Sequence, residues 1–108
     1  MALTKHFRET VQVRAQHDDK FRRALLAEAV NELLSGDLEA GKALLRDCVN
    51  ATIGFGPLAA ELGKPAKSLQ RMLGPSGNPT AENLIAILKV LQVRETVHLR
   101  VRLNRDAA

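Results

Sequence analysis

With 108 residues, the chain has room for one domain around one modest core. Hydrophobic residues make up 45%, which excludes a disordered chain. Only three aromatics occur, all Phe, so the core must come from Leu, Val, Ile and Ala, and the stacking platforms of a single-strand binder are missing. The net charge of +4 lies entirely in the second half: residues 1–53 hold eight basic and eight acidic side chains, while residues 54–93 and 94–108 each hold four basic and two acidic. Such an excess favours a polyanionic partner or serves solubility.

Along residues 1–53 the patterns are helical. Thr4 suits the cap of a first helix through about Ala15, with Phe7 and Val11 one turn apart. Asp18 or Asp19 starts a second, whose apolar face is Phe21, Leu25, Leu26, Ala29, Val30 and Leu33 and whose end is marked by Ser35-Gly36. Asp37 suits the cap of the next helix, and Glu39 complements its positive N-terminus. Leu38, Gly41, Leu44, Leu45, Cys48 and Val49 are expected to face inward, with Gly41 either allowing close helix approach or simply tolerated. Cys48 is the single cysteine, so an intramolecular disulfide is excluded, and its spacing suits a small buried hydrophobe rather than a nucleophile.

Ala51 to Gly54 links these helices to the stretch that organises the chain, Phe55 to Leu73. Phe55 is placed to staple the first turn of a short helix 55–62 onto Ala60. Leu58, Ala59 and Leu62 mark its inner side. Gly63 can take the left-handed conformation that ends a helix sharply, and Pro65 restarts the chain into helix 65–73. Leu69, Met72 and Leu73 form the buried side of that helix, leaving Ala66, Lys67, Ser68, Gln70 and Arg71 on the opposite face. This is the pattern of a helix-turn-helix, and equally of two core helices with a solvated polar face. The turn-rich Gly74–Thr80 follows. Thr80 suits the cap of a helix to about Leu91 whose apolar residues are Leu84, Ile85, Leu88 and Leu91.

In the last segment the period changes. Val97, Leu99, Val101 and Leu103 alternate with His98, Arg100 and Arg102, which predicts a short C-terminal β-strand. No other segment is an obvious partner for it. Three pairings are open: the same strand of a second copy, the chain's own Val11 and Val13, or the sheet edge of another protein.

The order LAAELGKPAKSLQRMLGPSGNPTAENLIAILKVL, residues 58–91, resembles the lambda-repressor-like (Cro/XRE-type) DNA-binding family, and most closely the HigA-like antidote proteins (antitoxins) of addiction modules. Residues 23–47 resemble the helical lead-in of those proteins. Two positions depart from the wider family: Pro65 stands where a capping Ser or Thr is common, and Phe55 where Gln is common. The resemblance implies an all-α domain of five to six helices with a helix-turn-helix, here followed by the strand. Residues 1–108 form one domain, divided into N-terminal helices (1–53), helix-turn-helix with its following helix (54–93), and strand with basic tail (94–108). It also implies a homodimeric repressor of double-stranded operator DNA, with a RelE/ParE-like toxin as a further partner.

On that reading helix 65–73 enters the major groove. Lys67 and Arg71, with Gln70 or Ser68, carry the base contacts, and Ala66 lies on the same face. Lys64, Asn78 and Thr80 meet phosphate, although Asn78 also suits a turn and Thr80 a cap. Val97, Leu99, Val101 and Leu103 carry dimerisation. The alternative is an interaction protein that neutralises a toxin, with DNA binding secondary. His6, His17 and His98 lie apart without cysteine or carboxylate at ligand spacing, no phosphate loop follows Gly74 to Gly77, and no Ser-His-Asp arrangement occurs. The expectation is therefore a non-enzyme without metal or cofactor. No apolar run reaches 18 residues and no signal-peptide pattern opens the chain, so a cytoplasmic protein off the membrane is expected.

Overall fold

The computed structural model describes residues 18–106, and the expected Thr4–Ala15 helix, together with Val11 and Val13, lies outside them. Five helices are present there: α1 (Asp19–Leu34), α2 (Leu38–Ala51), α3 (Phe55–Leu62), α4 (Ala66–Met72) and α5 (Ala81–Glu95). No strand occurs among the described residues.

Each boundary has a local cause. The Asp18 carboxylate accepts the Phe21 N–H at 3.1 Å and opens α1. At its far end the Gly36 and Asp37 N–H groups reach back to the carbonyls of Leu33 and Glu32, the pairing that closes a helix over a left-handed residue. Asp37 then caps α2 by accepting the Ala40 N–H at 3.0 Å, with Glu39 in the first turn. Thr80 caps α5 in the same way through the Asn83 N–H, at 3.1 Å. α5 runs on to Glu95, a turn beyond the Leu91 that the pattern indicated.

The core draws on all five helices. Leu26 and Ala29 of α1 meet Leu45, Cys48 and Val49 of α2, Phe55 and Leu58 of α3, Leu69 of α4 with Leu73 just past its end, and Ile87 and Leu91 of α5. Each fully buried leucine or isoleucine stabilises the fold by about 1.5–3 kcal/mol relative to exposure. α1 and α2 pack closely because Gly41 has no side chain: a Cβ there would collide with the end of Leu33.

Three core assignments differ from the pattern. Leu38, expected inside, is 37% exposed at the start of α2. Ile85, also expected inside, is 65% exposed, and Ile87 takes the core position instead. Phe55 does not staple onto Ala60: Phe55 is buried as the first residue of α3, while Ala60 faces outward.

An ion pair ties the first of these helices to the end of the last. The Arg22 Nε of α1 donates to both oxygens of Glu95, the last residue of α5, at 3.0 and 3.2 Å, and Arg22 also meets Asp19. Glu95 is buried. Its carboxylate lies at the negative end of α5, where a helix favours cations, so it depends on the guanidinium opposite. Removing one member of such a pair typically costs about 3–5 kcal/mol.

The expected C-terminal strand takes another form. Past Thr96, Val97 and Leu99 pack against the helical core while His98 and Arg100 face outward, so the alternation holds at its start. Instead of a neighbouring strand, the Gln92 side chain accepts the Leu99 N–H, at 2.8 Å. The chain then passes beside α1, where Ala27, Val30, Asn31 and Leu34 share a cleft with Leu99 and Val101. Val101 and Leu103 are 76% and 95% exposed.

Candidate nucleic-acid interface

The face formed by α3, α4 and the loop to α5 starts from a tight turn. Gly63 sits at φ 63° and ψ 35°, its N–H and that of Lys64 both directed to the Ala59 carbonyl. Pro65 follows in extended conformation and opens α4 without a side-chain cap, as a residue lacking a hydroxyl must. Its carbonyl accepts the N–H groups of Ser68 and Leu69.

α4 is two-sided. Leu69 within it and Leu73 at its end are fully buried, and Met72 packs against the core. Lys67, Gln70 and Arg71 are exposed, as are Lys64 and Pro65 in the turn before it. Ser68 is half-buried. Ala66 departs from the pattern: it packs against the core rather than lying wholly on the outer face.

The loop Gly74–Thr80 folds back over the end of α4. The Gly77 N–H reaches the Gly74 carbonyl at 3.0 Å, and a Cβ on Gly77 would collide with the carbonyl oxygens of Arg71 and Met72. Only glycine allows this close return. An open cleft of about 320 Å³ results, lined by Ser68, Arg71, Met72, Ser76, Gly77 and Asn78. Four polar side chains, Ser68 and Arg71 of α4 and Ser76 and Asn78 of the loop, are thus brought to one place. The Thr80 hydroxyl is engaged as the cap of α5, and Lys64 projects from the opposite end of α4.

Two cations unremarked in the sequence pattern reach the underside of this face. Lys42 of α2 is 1% exposed, and its ammonium donates to the carbonyls of Gly74 at 3.0 Å and Gly77 at 2.7 Å. Arg46, one turn further along α2, donates through Nη1 to the Leu73 carbonyl at 3.1 Å. A signal for Lys42 was present: it lies four residues after Leu38 and three before Leu45, on the apolar stripe itself.

Among the described residues, no three His, Cys, Asp or Glu side chains converge as metal ligands, and no helix is long and apolar enough to cross a membrane. Compared with known proteins, the chain matches no family model, no curated protein and no solved structure.

Proposed function

We propose that the chain is a sequence-specific DNA-binding regulator of the lambda-repressor-like type, a cytoplasmic homodimer that represses its own operon as an antitoxin does. The observation that carries this reading is the two-sidedness of α4: Leu69 and Leu73 are fully buried, while Lys67, Gln70 and Arg71 are exposed beside a tight turn. A helix held from one side and bearing hydrogen-bonding cationic residues on the other suits the major groove.

In this reading α3 lies across the phosphate backbone and α4 enters the groove. Arg71 bridges guanine O6 and N7, Gln70 reads adenine N6 and N7, and Lys67 and Ser68 complete the base contacts. Lys64 meets phosphate from the turn, and Asn78 from the loop. Thr80 keeps its capping bond, so its share in phosphate binding is to present the N-terminus of α5, whose free N–H groups favour anions. Ala66 contributes packing instead of a contact. The basic residues Arg100, Arg102 and Arg105, all exposed, add to the positive field.

Titration against the DNA upstream of the chain's own gene tests this. Arg71→Ala is expected to weaken the specific site by roughly 1–3 kcal/mol, and Lys64→Ala to weaken all sequences alike and reduce the salt slope by about 1. Absence of binding at low salt, or an Arg71→Ala variant that binds as wild type does, ends the reading.

A second reading is favoured by the exposure of Val101 and Leu103 beyond the packed Val97 and Leu99. That segment is suited to add to the sheet edge of a RelE/ParE-like toxin. Rescue of growth by co-expression with the product of the adjacent reading frame, lost on Val101→Asp with Leu103→Asp, is the outcome expected of an antidote.

A further inference from the structure

The end of α4 and the loop after it are held by α2. The Lys42 ammonium has three N–H donors, and three oxygens meet it: the carbonyls of Gly74 and Gly77, and Glu39 Oε2 at 2.8 Å. Arg46, on the same face of α2, takes the Leu73 carbonyl. Of the three backbone acceptors, the Leu73 carbonyl belongs to the C-cap of α4, and those of Gly74 and Gly77 to the loop that follows it. A buried lysine is expensive unless fully satisfied; here Glu39 of its own helix pairs the charge, and the other two partners are carbonyls of one loop.

The need for such a hold follows from the length of α4. Seven residues make two turns, too short for an isolated helix to persist. Leu69 and Leu73, with Ala66 and Met72 partly buried beside them, seat it on the core from one side, which resists lifting more than rolling. Arg46 on the cap carbonyl of Leu73, and Lys42 on the loop that continues from it, remove that freedom from the side. The exposed Arg71, and with it Ser68 and Asn78 around the cleft, then hold one arrangement. Base-edge contacts need placement within about 0.5 Å, so a small roll of α4 would spoil them while leaving every charge in place.

We propose that Lys42 and Arg46 are positioning residues for the DNA-contacting face: acting from beneath, without touching DNA, they set the seat of α4 and its loop and so the sequence preference. This rests on the DNA-binding reading above. α2 thereby bears on specificity through the backbone of the loop and the cap of α4.

The test is a double-substitution cycle in the full chain, with binding to the upstream DNA and to an unrelated duplex of equal length, and with amide exchange followed along the backbone. Lys42→Met is expected to weaken the upstream site about tenfold, within the range of coupled neighbours, while binding to the unrelated duplex changes less than about twofold. In an Arg71→Ala background the further effect of Lys42→Met on the upstream site is expected to shrink clearly, because part of what Lys42 positions is Arg71. Exchange is expected to quicken at residues 70–78 and to stay unchanged at Leu26 and Ala29, which a general loss of stability would also move. Should Lys42→Met fail to fold, Arg46→Met carries the same cycle, since Arg46 is only half-buried. Additive effects of the two substitutions, or equal weakening on both duplexes, overturn the positioning role alone. Failure of the wild-type chain to bind the upstream DNA overturns the DNA-binding reading and this role with it.

Discussion

The thiol of Cys48 shows what the interior does to a single titratable group. Burial pushes it up to about 12, with the Glu95 carboxylate adding to the rise, Arg22 opposing it, and Asp47 adding a smaller push. A group whose folded value is raised holds its stabilisation in the protonated form. That contribution is whole below the ordinary thiol value of 9.0 and is lost as pH rises towards about 12. Urea denaturation between those limits is therefore expected to show wild type losing about 1.4 kcal/mol per pH unit more than Cys48→Ala, the slope of one proton. Parallel curves for the two proteins would show that the thiol is not excluded from water. That Cys48 is a buried hydrophobe was legible from its helical spacing. The two buried charges, Lys42 and Glu95, sit on stripe positions as well, Glu95 four residues after Leu91. Their chemistry argued for the surface, and only their partners, 32 to 73 residues away in the chain, explain why they are inside.

Among the elements, the starts of α1, α2 and α5 were the most legible, because an N-cap is a local event between residues three apart: Asp18, Asp37 and Thr80 each bond as their chemistry indicated. Which apolar residues of α5 turn inward was less so. Ile85, Ile87 and Leu88 are all apolar, and only the direction from which α1, α3 and the core approach selects Ile87. The end of α5 holds an exception to the usual chemistry. Thr96 closes it in the left-handed region, at φ 56° and ψ 46°, with its N–H and that of Val97 returning to Val93 and Gln92. A β-branched residue there carries about 1–2 kcal/mol of strain. Glycine relieves it but gives the unfolded chain about 0.4–1 kcal/mol of extra entropy. Thr96→Gly is accordingly expected to stabilise by roughly 0.5–1 kcal/mol in urea denaturation. A destabilised variant would mean that the Thr96 side chain makes a contact worth more than the strain.

At the scale of the whole molecule, the question is what the C-terminal segment is for. The alternation from Val97 to Leu103 predicts a strand, and no strand occurs there among the described residues; periodicity cannot say what lies on the apolar side. Val97 and Leu99 find it in the chain's own helices, and Gln92 supplies the bond that a neighbouring strand would have given to Leu99. Val101 and Leu103 stay largely exposed, Val101 at the edge of a cleft it shares with Leu34, itself exposed. The division predicts different consequences for two truncations. Of the described residues, a chain ending at Leu99 sheds only exposed ones, so its stability is expected to stay within about 0.5 kcal/mol of the full chain. A chain ending at Thr96 uncovers the core edge and is expected to lose roughly 1–3 kcal/mol. Self-association separates from stability in the same pair. If the proposed homodimer is built on Val101 and Leu103, the chain ending at Leu99 sediments as a folded monomer at concentrations where the full chain is a dimer, and it binds two half-sites no better than one, since a two-fold pair is what spans one turn of DNA. A dimer that survives that truncation places the interface elsewhere, and a full chain that stays monomeric across micromolar concentrations removes the dimer altogether.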